Sequence, residues 1–326
     1  METDIDVSVA MMTYFHVSYV SKAIESVLSQ KTKYTYEIVI SDDGSTDGTR
    51  EILEQYQKKY PDKIRVFFNE KNIGITQNSY NTHCRCRGKY IALLSGDDYW
   101  IDDEKLQWQA EFLDRHQDYY AVESVLEGRF DDSETSFSTY PKKKYRKSTI
   151  TLNRYLRGAM FGTGGIMMRN AYLTEEGRRL FSLVPKVSPY IDDATECILI
   201  LQLGKVYISE RHSAVYRVNK NNSGKKNFNA INSTAQKIKK TVDLYNALNN
   251  ELKPKIDLFY LYSDNVALGM ANALLTQKIK DFKDIYFSIP KEYRSRNLLI
   301  RSVPGMISFS MSSLIRKAKA KICNMI

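Results

Sequence analysis

The chain reads as an α/β protein: a mostly parallel sheet flanked by helices, followed by a helical C-terminal region. Three observations lead there. Short apolar runs alternate with amphipathic stretches through the first hundred residues. Two of those runs end in acidic clusters, at Ser41-Asp42-Asp43 and Ser95-Gly96-Asp97-Asp98. After about residue 230 the pattern changes to long helical periodicity. In open α/β sheets ligands settle beyond the carboxyl ends of the strands, which is where both clusters fall. Carboxylate oxygens stacked there suit a hard divalent cation.

The elements follow in order. Val7 to Met12 is a buried strand, and Tyr19 to Gln30 a helix whose Ala23, Ile24, Val27 and Leu28 share a face. Glu37 to Ser41 is the second strand, and Thr46 to Tyr60 the second helix, broken by Pro61-Asp62. Ile64 to Phe68, Thr76 to Arg87 and Lys89 to Leu94 supply a third strand, a third helix and a fourth strand. Gly88 stands where a helix C-terminus favours a left-handed residue. The succession implies parallel strands with right-handed crossovers. Neither G-x-G-x-x-G nor G-x-x-x-x-G-K is present, which argues against dinucleotide and P-loop chemistry.

Asp103 to Arg115 is a helix offering Leu106, Trp108, Phe112 and Leu113 for packing. Residues 128–150, with Lys142-Lys143-Lys144, read as a polar, mobile loop. Gly162 to Arg169 is a glycine-rich turn entering a strand. Asp192, Asp193 and Glu196 precede an apolar helix reaching Leu203, and Lys205 to Val218 is a strand carrying Tyr216-Arg217. Helices are expected over Ile231–Asn249 and Ile256–Phe282. The domains are therefore 1–225, divided at about residue 100 into nucleotide and acceptor halves, and 226–326. In the tail, residues 305–326, apolar and basic positions fall on opposite helical faces. Such a segment fits an anionic membrane surface or packs on its own domain.

Bulk properties set limits. With 43% hydrophobic and 26% charged residues among 326, the composition is that of a globular protein. The net charge of +10 favours anionic partners. Nucleic acid is not the expected one, because a carboxylate-lined crevice repels phosphates unless metal is bound. The four cysteines are scattered and lack zinc spacing. No leader-like N-terminus and no apolar window of ~18 residues is visible, so a cytoplasmic protein is expected, peripheral at the inner membrane face if the tail binds lipid.

The ordered set of motifs resembles the family 2 glycosyltransferases of GT-A fold, across roughly residues 5–220. Val7 to Tyr14 looks like the family's first strand, and Glu37 to Asp47 like its nucleotide-binding turn in the Rossmann-like half. Asn72-Ile73-Gly74 with Asn78 and Asn81 looks like the third-helix entry, and Ser95-Gly96-Asp97 stands at the metal-binding D-x-D. The resemblance implies an inverting transfer from a UDP-sugar to a hydroxyl of a lipid-linked or oligosaccharide acceptor in surface polysaccharide assembly, assisted by Mn²⁺ or Mg²⁺. One position departs: Ser95 replaces the first carboxylate. Its hydroxyl is a poor metal ligand but can hydrogen-bond a ribose. A non-catalytic nucleotide-sugar binder is therefore the alternative, with a sugar nucleotidyltransferase behind it.

Roles carried over from the resemblance fall on named residues. Asp97 and Asp98 are the metal ligands, with a strand-end turn and helix cap as their other reading. Thr13, Tyr14, Asp42, Asp43, Ser95 and Gly96 form the nucleotide site, Asp42 accepting the uracil imide N–H. Arg217 reaches the diphosphate, or else a surface ion pair. Asp193, with Asp192 as understudy, is the general base, or else a helix cap.

Overall fold

The computed structural model describes residues 5–130, 133–157, 159–162, 164–188, 193–218, 234–253, 255–258, 283, 286–287 and 289–293. Two units are distinguished: Met1–Leu152 with Met160–Asn222, and Asn153–Ala159 with Ser223–Ile326. The first is organised around strand β1 (Val7–Thr13), which is flanked by parallel neighbours on both sides. Alternation places Val7, Val9 and Met11 in one cluster with Val20, Ala23, Ile24 and Val27 of helix α1 (Val20–Leu28).

The chain continues as β2 (Tyr36–Asp42), α2 (Thr49–Lys59), β3 (Ile64–Phe68), α3 (Ile75–Arg85) and β4 (Tyr90–Ser95). These strands run parallel in the order β3-β2-β1-β4, so β1, β2 and β4 all end on one edge. Next come β5 (Tyr99–Trp100), α4 (Lys105–Arg115), β6 (Tyr119–Phe130), β7 (Ser136–Tyr140), β8 (Ser148–Ile150) and α5 (Leu152–Leu156). Then follow β9 (Ile166–Arg169), α6 (Glu175–Phe181), α7 (Leu183–Val187), α8 (Asp193–Leu203) and β10 (Lys205–Val218). The sheet extends as β4-β9-β6-β10-β5. Strand β9 runs against both neighbours, whereas β6 and β10 are parallel. The parallel character is thus strongest in the nucleotide half.

Two expectations change. Segment 128–150 is not simply a polar loop: β6 runs to Phe130, β7 pairs with β6, and β8 pairs with β10. Partners distant in sequence hold these short strands, and local composition does not reveal them. Gly88 is not left-handed; among the described residues the glycines with positive φ are Gly44, Gly48 and Gly74. Helix α3 instead ends on an extended Cys86. Gly88 answers a packing need, since a Cβ there would lie 2.5 Å from the Ser8 amide nitrogen.

At the opposite edge of the sheet from the acidic clusters, Glu37 is buried and fully engaged. Ser8 Oγ and the Arg87 amide donate to Oε1, and the Arg65 and Arg87 guanidinium groups donate to Oε2. Burial pushes this carboxyl up, but the donors outweigh it and hold it below its ordinary range.

In the second unit, α9 (Thr234–Glu251) buries Val242, Leu244, Tyr245 and Leu248. The Asn249 side chain exchanges hydrogen bonds with the Ile256 backbone at 3.0 and 2.7 Å. Residues 255–258 are not helical, and most of the helix expected over Ile256–Phe282 lies outside the described residues, as does segment 305–326. Among the described residues no helix is long and apolar enough to cross a membrane.

Candidate functional site

Parallel pairing sets Thr13 beside Asp42 and Met12 beside Ser95, which gathers the ends of three strands. Thr13 Oγ1 donates to Asp42, and the Asp43 amide donates to the Thr13 carbonyl at 2.9 Å. Asp42 has no exposed surface: it also accepts from the Ser45 amide and hydroxyl and from Arg50 Nε. A base reaching Asp42 must displace one of these donors. Asp43 is nearly as buried and accepts from Asn69 and from the Ile73 and Gly74 amides, which fixes the entry of α3. Gly44 sits at φ +80°, and a Cβ there would stand 2.8 Å from the Lys71 carbonyl carbon.

Beyond β1 the chain turns over this edge. Ser45, Asp47 and Thr49 accept from the amides of Val17, Phe15 and His16 between them: Phe15 to Ser45, His16 to Thr49 and Val17 to Asp47. Phe15 takes a left-handed φ of 57°, and its ring stacks on Tyr14 at 4.3 Å. Both rings are exposed, offering an aromatic surface at the nucleotide edge.

The second cluster follows β4. The Gly96 amide donates to the Met12 carbonyl, and a Cβ at Gly96 would lie 2.5 Å from the Thr13 methyl. Asp97 keeps 37% of its side chain exposed, with Oδ2 at 3.8 Å from His16 Nε2. Burial lowers the His16 imidazole from its ordinary value, although Asp97, Asp47 and Asp42 all pull it upward. Asp98 is buried, and its carboxyl is pushed well up by burial and then by the charge of Asp97.

Arg217 arrives from β10, because β5 pairs with that strand at Tyr99 and Val215. Its amide donates to Asp98 Oδ1 at 2.8 Å, and its Nε donates to the Asp97 carbonyl at 2.7 Å. The guanidinium lies over the rings of Tyr19 and Tyr99, 4.8 and 4.9 Å from their centroids. Its Nη2 is buried with no partner among the described residues. An orphan guanidinium donor beside two carboxylates is costly unless an anion meets it.

A cavity of about 400 Å³ opens next to this cluster and is lined by Ser95, Asp98, Asp193, Glu196 and Tyr216. That volume lies in the range of small-ligand pockets. Met12, Leu93, Leu94 and Leu126 supply apolar lining. Asp193 opens α8, and its Oδ1 accepts from the Ala194 amide at 2.7 Å. Burial, then the charge of Glu196, raises its carboxyl. Asp192 lies outside the described residues.

The fold therefore brings Thr13, Tyr14, Asp42, Asp43, Ser95, Gly96, Asp97, Asp98 and Arg217 to one edge, and Asp193 into the adjoining cavity. Sequence reading did not anticipate His16 at Asp97, nor the company of Glu196, whose carboxylate stands 3.3 Å from His83 Nδ1. The single available signal was that Glu196 follows Asp193 by three residues on a helix, hence on the same face. Trp100, next to the acidic cluster in sequence, is core at 5% exposure.

Among the described residues no three His, Cys, Asp or Glu side chains gather as a ready metal cluster. Asp97 and Asp98 still fit a hard cation. Their donors are carboxylate oxygens, buried Asp98 accepts from the Arg217 amide, and a divalent ion commonly takes remaining ligands from a diphosphate and water.

Comparison with known proteins places the chain in a family. Residues 8–177 match the family model described as Glycosyl transferase family 2. A putative teichuronic acid biosynthesis glycosyltransferase, TuaG of Bacillus subtilis, is 40% identical over 107 residues, covering 33% of this chain and 41% of that protein. The chain spans about half the length, 46%, of the first curated relatives it matches. Among solved structures, residues 1–349 of Staphylococcus aureus TarS in complex with UDP-GlcNAc align with TM-score 0.58 and 15% identity, over 94% of this chain and 92% of that one. The mannosyltransferase PcManGT of Pyrobaculum calidifontis, in complex with GDP-Man and Mn²⁺, aligns with TM-score 0.52 and 16% identity, over 94% and 90%. These likenesses establish the fold.

Proposed function

Because this chain belongs to glycosyl transferase family 2, we propose that it transfers a sugar from a UDP-sugar to a hydroxyl of a lipid-linked or oligosaccharide acceptor, with inversion, in surface polysaccharide assembly. The observation that carries this reading is the single cavity shared by Ser95 and Asp98 on one side and Asp193 on the other. It offers a sugar-sized space between a diphosphate-binding edge and a base.

In this reading the uracil stacks on exposed Tyr14, and its imide N–H meets Asp42 once Ser45 releases an oxygen. Thr13 and Asp43 hold the turn that receives the base. Ser95 donates to a ribose oxygen, and close-packed Gly96 lets the backbone approach. Asp97 and Asp98 would hold Mn²⁺ or Mg²⁺. When bound, the cation offsets charge on the departing diphosphate as a Lewis acid. Arg217 presents its orphan Nη2 to the same oxygens, braced between Tyr19 and Tyr99. Asp193 takes the acceptor hydroxyl proton from the far side of the cavity. Desolvation raises its carboxyl above the ordinary aspartate value, the direction that favours a general base. A peripheral position at the inner membrane face, through segment 305–326, belongs to the same proposal.

The test is calorimetric titration of UDP, GDP and ADP with Mn²⁺ and with EDTA, coupled to turnover of Asp193→Asn. Metal-dependent, UDP-selective binding is expected. The variant should bind UDP as the unaltered chain does and turn over ~10²-fold more slowly. Absence of nucleotide binding removes the transferase reading; near-normal turnover of the variant removes Asp193 as base.

A further inference from the structure

Helix α8 is apolar on every side: Cys197, Ile198, Leu199, Ile200 and Leu201 are all buried. A helix of that kind normally lies wholly within a core. Glu196, 2% exposed, is a carboxylate in its first turn, directly before that apolar run. Burying a charge there is costly without partners, and leucine would pack without that cost. What the structure supplies is a brace. Glu196 Oε1 lies 3.3 Å from His83 Nδ1, and the Tyr172 hydroxyl lies 3.1 Å from the same nitrogen. His83 and Tyr172 come from separate segments, have 0% and 2% exposure, and meet ring to ring at 5.2 Å. His83 Nε2 has no partner among the described residues, so the polar contacts of this histidine are made through Nδ1.

The brace has a direction. Glu196 lines the same cavity as Asp98 and Asp193, one helical turn beyond Asp193. Leu93, Leu94 and Leu126 line that cavity beside the neutral hydroxyls of Ser79, Ser138 and Tyr140, and Glu196 adds a charged acceptor to these. A hydroxyl or amide N–H entering this cavity therefore finds a carboxylate acceptor at Glu196. A carboxylate on the incoming group finds like charge in a desolvated space, where repulsion is strong.

Resting on the nucleotide-sugar reading of this cavity, we infer that Glu196 is a specificity-determining residue. Held by His83, whose ring packs against Tyr172, its carboxylate accepts a hydroxyl or N–H from a neutral transferred sugar and turns away uronates. No bond is made or broken by this residue; it orients the sugar while Asp193 receives the proton.

The probes are UDP, UDP-glucose and UDP-glucuronate, titrated with Mn²⁺ into the full chain and into Glu196→Gln, which keeps the side-chain shape and removes the charge. The unaltered chain should bind UDP-glucose at least ~tenfold more tightly than UDP-glucuronate, as like-charge exclusion requires. In Glu196→Gln that ratio should fall below about threefold, with UDP affinity unchanged. His83→Phe, which removes the brace, should lower the ratio in the same direction. Retained UDP binding in each variant shows that the fold survives. An equal ratio in the unaltered chain and Glu196→Gln, with UDP bound normally in both, overturns the inference alone. Failure of the unaltered chain to bind UDP overturns the donor reading, and this inference with it.

Discussion

Glu37 and Asp98 are both buried carboxylates on the same sheet, at opposite ends of its parallel strands, and they are treated in opposite ways. Glu37 receives hydrogen bonds from Ser8, Arg65 and Arg87, and its carboxyl sits below the ordinary range. Asp98 receives the Arg217 amide, faces the charge of Asp97, and its carboxyl sits well above that range. Nearby, Arg217 Nη2 is left without a partner. The amino end of the sheet is thus closed electrostatically, and the carboxyl end is incomplete. Buried polar groups that the protein does not satisfy invite a ligand that does. A cation and a diphosphate together would satisfy this edge, the one for Asp97 and Asp98, the other for Arg217.

The contrast can be broken by exchanging charge for neutrality at each end. Glu37→Ala should cost roughly 3 kcal/mol in urea unfolding, the low end for breaking a buried ion pair because Arg65 and Arg87 both reach solvent. A loss under ~1 kcal/mol would mean that this network is ornamental. Asp98→Asn should leave stability unchanged or raise it by up to ~1 kcal/mol, because it removes an underpaired charge beside Asp97. The same variant should lose the Mn²⁺-dependent part of UDP binding. A marked loss of stability would place Asp98 among the structural carboxylates and remove the contrast.

The two ends were also unequally legible in the sequence. The nucleotide half was read closely because each strand and helix there carries its own pattern; Ile64–Phe68 matched its expected bounds. Asp97 and Asp98 were visible because they sit next to each other after an apolar run. Strand β6 was not, although it lies between β9 and β10 in the sheet. It carries Glu123, Ser124 and Glu127 among apolar residues, and its partners lie some 40 to 90 residues away, at Ile166 and along Lys205–Val218. Strands β7 and β8 were hidden in the same way by lysines that decorate their connection. In the site, the union of Glu196, His83 and Tyr172 has no local signature, since three separate segments meet only after folding. Glu37, too, reads in sequence as an ordinary strand-edge glutamate; its arginine partners become evident only through β3 and the end of α3.

The smallest effect concerns acid. Because the folded-state carboxyl of Glu37 is depressed, the unfolded chain binds more protons between that depressed value and the ordinary glutamate value of ~4.3. Its contribution is therefore complete above the ordinary value and drains away as pH falls through the folded one. Glu37→Gln should lie below the unaltered chain by a constant margin in thermal or urea unfolding at neutral pH. The margin should then narrow steadily below about pH 5. Asp114, held at about 2 with Lys89, Tyr90 and Tyr34 donating to it, titrates alike in both chains and so cancels from the difference. A margin that widens in acid would reverse the sign for Glu37. The amino end of the sheet would then be no better satisfied than the carboxyl end, and the incompleteness at Asp98 would lose its meaning as a mark of the ligand site.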